Sequence, residues 1–179
     1  MPNHYLAIDI GSSTVAAVII DLDSKSVVGS ASAVNTAEIT SPDDKKIGRS
    51  EWDLEVMTEL AVKNAADLIT TTGADPAAIG VTGQQQGLQL LDNDLNAASM
   101  FISWQDQRSK EFLPGEQCTY LGAMGDLGGA VVEDGGLPAF KNTGCPLVTG
   151  YTAPNLFWLK ANDRLPANVH GITAPEFVV

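Results

Sequence analysis

Three short stretches carry residue types that could do chemistry. The first is Asp9-Ile10-Gly11-Ser12-Ser13-Thr14. Glycine lets a backbone approach a ligand closely, the three hydroxyls offer donors, and turn N–H groups can form an anion-binding nest. Asp9 can hold Mg²⁺ through water, because that ion keeps its waters and uses few carboxylates. The same six residues also suit a plain hairpin turn. The second stretch, Gly83-Gln84-Gln85-Gln86-Gly87, sets three carboxamides side by side. Each has donors and an acceptor for a polyhydroxylated ligand, although a solvated polar loop has the same composition. The third, Ser103-Trp104-Gln105-Asp106-Gln107-Arg108, puts a carboxylate and a guanidinium two residues apart beside an indole. Asp106 can accept from sugar hydroxyls, Arg108 can donate in a fixed fork, and the Trp104 face can stack on a ring. Its bland counterpart is a surface ion pair next to a core tryptophan, which contributes little.

The flanking sequence predicts how these loops are held. Tyr5–Ile10, Val15–Ile20 and Val27–Val34 are rich in β-branched residues and joined by short turns, so they form an antiparallel meander. Residues 35–50 are polar and include Ser41-Pro42-Asp43-Asp44, a loop. A helix starts at Asp53, a good N-cap, and buries Leu54, Met57, Ala61, Ala65 and Leu68 at steps of three and four. Gly73 ends it, with Pro76 just beyond. Ala78–Thr82 is a strand feeding the glutamine loop, and Leu88–Leu91 and Met100–Trp104 are two more. Gln105–Phe112 has the makings of a helix start. The stretch 114–146 holds eight glycines and three prolines without a period and reads as a loop or lid. Tyr151–Asn162 recovers helical spacing around Leu156, Phe157, Trp158 and Leu159.

Composition narrows the function classes. Ten basic against 22 acidic residues give a net charge of −12. Nucleic acid and anionic membrane surfaces are therefore poor partners. The 44% hydrophobic content supports a core, and the 179 residues are enough for one domain. No apolar run is long enough to span a bilayer. The start lacks a basic signal region and reads as a strand, so a cytoplasmic location is expected. Cys118 and Cys145 are expected to be free thiols, and His4 and His170 are too isolated for zinc.

Taken in order, the three stretches resemble the N-terminal domain of the FGGY carbohydrate kinase family, in its xylulokinase and sedoheptulokinase branch. Ser50-Glu51-Trp52-Asp53, Ile79–Gln84 leading to Leu90-Leu91-Asp92, and Thr143-Gly144-Cys145 followed by Gly150–Leu159 add to the likeness. The resemblance implies an actin-like, RNase H-like α/β fold with a mixed sheet that starts from the meander and carries helices on its faces. It implies one N-terminal, sugar-binding-side domain over 1–179, without the C-terminal ATP-binding domain. It also implies an ATP- and Mg²⁺-dependent kinase acting on a ketose such as D-xylulose. By the same likeness, Asp9 sits at the phosphate and Mg²⁺ end, and Gly11, Ser12, Ser13 and Thr14 form the phosphate-contacting turn. Gln85 and Gln86 stand where the family has a Met-His pair. With Gln84, Trp104, Asp106 and Arg108 they make up the sugar side.

The sequence departs from the family in three places. The segment with the family's catalytic Asp and the whole second domain are absent, so no turnover is expected from this chain alone. The usual basic residue after the turn is Ala16. The Met-His pair is Gln-Gln, which keeps hydrogen bonding and loses the imidazole. The last two features also suit a non-catalytic interaction or regulatory module on an actin-like fold. A domain without its partner is further expected to self-associate or to be a marginally stable monomer.

Overall fold

The computed structural model describes residues 3–132 and 135–179. Met1 and Pro2, ahead of the expected Tyr5–Ile10 strand, and residues 133 and 134 of the glycine-rich stretch lie outside the described residues. In chain order the elements are β1 (His4–Ile10), β2 (Thr14–Asp21), β3 (Ser26–Val34), α1 (Pro42–Lys46), β4 (Glu51–Trp52) and α2 (Leu54–Thr72). β5 (Pro76–Gly83), β6 (Gly87–Leu91), β7 (Phe101–Ser103), α3 (Tyr120–Gly128), β8 (Ala130–Val131) and β9 (Ala139–Phe140) follow. The chain closes with α4 (Thr152–Ala161), β10 (His170–Ile172) and α5 (Ala174–Val178). The contacts cluster into two compact units. The chain leaves the first after Glu38, returns at Asp53, leaves again after Gln85 and returns at Thr173.

The first unit is built on a four-stranded sheet of order β3-β2-β1-β5. β1, β2 and β3 form the antiparallel meander, and β5 lies parallel to β1. Parallel neighbours need a long crossover, and α2 is part of it. Asp53 caps α2 by accepting from the N–H groups of Glu55 and Val56, and Gly73 ends it in the left-handed conformation. The buried α2 residues are the five expected. Leu6, Ile8 and Ile10 of β1 and Val15, Ala17 and Ile19 of β2 are also buried. The Asn64 side chain donates to the Val15 carbonyl at 2.9 Å, tying α2 to β2. Strand alternation turns Ala7 and Asp9 outward, where with Ala16, Val18, Ser30, Ser32 and Thr82 they border an open hollow of about 610 Å³.

The second unit holds a sheet of order β10-β6-β7-β4. Leu88, Leu90, Ile102, Tyr120, Trp158 and Leu159 form its core, with Leu156 and Phe157 packed at the margin. Trp158 meets Tyr120 edge-to-face with ring centroids 6.2 Å apart.

Three local expectations change. Ser41-Pro42-Asp43-Asp44 is not a loop: Ser41 caps the short α1, with Pro42 in its first turn. Gln105–Phe112 forms only a 3-10 turn, Arg108–Lys110. The 114–146 stretch contains α3 and the β8–β9 pair. Thr119 caps α3, and Gly125 and Gly128 lie where a Cβ would run into Leu147 and Phe140. Those glycines therefore allow close packing and do not break the helix. The apolar end of the chain is α5, opened by a capping box between Thr173 and Glu176.

Candidate functional site

The candidate residues fall into two groups, one in each unit. In the first unit the Gly11 N–H donates to the Thr14 carbonyl at 3.0 Å, closing the turn. A Cβ on Gly11 would lie 2.8 Å from that same oxygen, so the turn requires glycine. Asn35 anchors the bend from behind, its side chain donating to the Gly11 carbonyl at 2.8 Å and its N–H to the Ser13 carbonyl at 2.9 Å. The anion nest foreseen here therefore loses the Gly11 N–H, which the turn itself uses. Ser13, Thr14 and the Asp9 carboxylate are exposed. Asp9 pairs with Ala16 across the β1–β2 ladder and with Thr82 across β1–β5. A basic side chain at 16 would stand beside the carboxylate; alanine leaves it without a cross-strand cation.

Gln84 follows β5, and its N–H donates to the Ile10 carbonyl at 3.1 Å. The residue is 7% exposed, yet neither Nε2 nor Oε1 has a partner. A buried carboxamide with no partner carries a desolvation penalty, which suits a group kept for a ligand or a water. Gln85 is exposed and Gln86 half-buried.

In the second unit the structure corrects the reading of Asp106 and Arg108. They are 0% and 4% exposed, so neither a surface ion pair nor a direct sugar contact describes them. Asp106 Oδ1 accepts from the Arg108 N–H and Nε, both at 2.8 Å. Oδ2 accepts from the Ser50 N–H at 2.8 Å and Arg108 Nη2 at 2.9 Å. Four donors fill the carboxylate's four acceptor sites, leaving none for a ligand. Arg108 Nη2 also reaches Glu51 at 2.7 Å. Burial is the largest single influence on this guanidinium and disfavours its charge. Hydrogen bonds and charge from Asp106, then Glu51, more than offset burial and raise the group above its ordinary value. The Trp52 indole donates to Ser50 Oγ, which pairs with Ser103 Oγ at 2.9 Å. What this buried lattice presents outward is Trp104, 47% exposed and so not the core tryptophan of the alternative reading.

Sequence reasoning gave Ser50 and Glu51 no role in the site. Their partners lie more than 50 residues away, and only the family-like Ser50-Glu51-Trp52-Asp53 string hinted at them.

The meander continued by a parallel strand, with α2 on one face, is the actin-like α/β fold. Residues 4–121 match the family described as "FGGY family of carbohydrate kinases, N-terminal domain", and the chain belongs to that family. It is 27% identical over 180 residues to a xylulose kinase of Haemophilus influenzae, a match covering 96% of this chain and 33% of that protein. Among solved structures it resembles a gluconate kinase from Lactobacillus acidophilus with a TM-score of 0.76 and 19% identity. That likeness covers 99% of this chain and 32% of the other and concerns the fold alone. A xylulose kinase from Rhodospirillum rubrum is 28% identical with a TM-score of 0.53, over 60% of this chain and 21% of its own. The chain thus spans about a third of the length of the curated relatives it matches, 33% in the first case. Among the described residues no helix is long and apolar enough to cross a membrane.

Proposed function

We propose that this chain is the sugar-side part of an ATP-dependent kinase that phosphorylates a ketose, D-xylulose being the first to test. The observation that carries the reading is the contrast at the two motifs. Asp9, Ser13 and Thr14 are exposed, and the buried Asp106–Arg108 pair presents a half-exposed Trp104. A carboxylate and hydroxyls are hard oxygen donors, which fit a hydrated Mg²⁺ and phosphate. Mg²⁺-ATP, when bound, supplies the phosphoryl group and neutralises its charge. Asp9 and the Gly11–Thr14 turn orient the phosphate end. In the second unit Gln86 hydrogen-bonds the sugar and Trp104 packs on its carbon face; in the first unit Gln84 and Gln85 offer carboxamides after β5. Asp106 and Arg108 hold the Trp104 loop without touching sugar. The chain spans 33% of the first curated relative, and the general base and ATP-binding domain are assigned to the part of a full kinase beyond this third.

A coupled assay of this chain with D-xylulose and ATP tests the division of labour: no turnover is expected, and robust turnover contradicts it. A second reading, a non-catalytic module on the same fold, draws on Ala16 opposite Asp9 and on the glutamines in place of Met-His. It predicts no heat when ketoses are titrated into the protein.

A further inference from the structure

One short stretch of the second unit, 149–155, reaches both of that unit's candidate loops. Thr152 Oγ1 donates to the Gly87 carbonyl, the residue after Gln86, at 2.7 Å. Thr149 Oγ1 donates to the Asp106 carbonyl at 3.0 Å and accepts from Ser109 Oγ at 2.7 Å. Gly150, at φ +79°, lies so close under the Trp104 carbonyl that a Cβ would overlap it. The fully buried Asn155 fixes that glycine by donating from Nδ2 to its carbonyl at 3.1 Å. Helix capping does not explain this arrangement. The N-cap of α4 is Tyr151, which makes no side-chain cap, while the hydroxyls on either side of it point at other loops.

Resting on the function proposed above, we infer that Thr149, Gly150 and Thr152 are positioning residues. They lock the loop entering β6 and the loop leaving β7 into one arrangement, so that Gln86 and Trp104 meet the sugar in a fixed geometry. Each hydrogen bond is too weak to decide whether the unit folds. Loosening a binding group by about 1 Å is nevertheless enough to lower binding and rate strongly.

Hydrogen exchange on the whole chain tests the clamp without any ligand. Thr152→Val is expected to speed exchange about tenfold in peptides covering 86–88, with Thr152→Ser restoring protection and α2 unchanged. Thr149→Val is expected to raise acrylamide quenching, which reports mainly on Trp104 because Trp52 and Trp158 are 6% and 3% exposed. D-xylulose titration then links the clamp to function: about tenfold weaker binding in Thr152→Val, recovered in Thr152→Ser. Unchanged exchange, or equal ketose binding by Thr152→Val, overturns the clamp. A wild-type chain that binds no ketose overturns the kinase reading, while the exchange data still decide the clamp.

Discussion

Asp9 and Asp106 are both aspartates at the ends of β-structure in motifs shared with sugar kinases, and the fold treats them in opposite ways. Asp9 is exposed, beside a turn in which Ser13 and Thr14 are exposed as well. Asp106 is fully buried and accepts four hydrogen bonds from Ser50 and Arg108. The contrast teaches that matching a motif does not assign a role. Unused acceptor sites mark the group that can meet a ligand, and filled ones mark the group that shapes the loop.

Removing Asp106 should have the largest effect on stability. Asp106→Ala leaves the buried guanidinium with Glu51 as its one carboxylate partner and orphans the Ser50 and Arg108 N–H groups, and is expected to cost about 3–5 kcal/mol in denaturant unfolding. A loss as small as that of a surface mutant would erase the distinction between the two aspartates. Arg108→Lys keeps the charge and loses the fork, and should cost about 1.5–3 kcal/mol in the same measurement. Ala16→Lys puts a cation opposite Asp9 in the ladder. Thermal unfolding should show a gain of about 0.2–1 kcal/mol that fades with added salt. Asp9→Asn should alter stability by no more than about 0.5 kcal/mol, since the carboxylate is exposed. A larger loss would move Asp9 into the structural class.

The smallest effect concerns pH. Glu176 is held below its ordinary value of 4.5, first by the Thr173 N–H and then by the Thr173 hydroxyl. Its folded value lies below its unfolded one, so its contribution is complete above about 4.5 and lost as pH falls through the folded value. Exchange in α5 should rise in that acid window. Glu176→Gln should remove the dependence.

How much of this was legible in the sequence depends on how local the determining physics is. Helix α2 was readable from end to end because Asp53, Gly73 and the buried stripe between them act within a few turns. The meander was readable because short turns leave antiparallel pairing as the geometry available. Helix α3 was hidden. Glycine reads as a breaker unless one knows that Leu147 and Phe140 need the space. The burial of Asp106 was hidden for a similar reason. Charged residues read as surface, and the Ser50 N–H that satisfies this one comes from 56 residues earlier. Gln84 looked like one of three equivalent amides until the fold buried it without a partner.

Calorimetric titration of D-xylulose into this chain and into its Trp104→Ala and Gln86→Ala variants probes the sugar-side assignment most directly. The account predicts weak binding, on the order of millimolar, that both variants lose and Asp9→Asn retains. Binding that survives loss of Trp104 and Gln86, or no heat with any ketose, would contradict it.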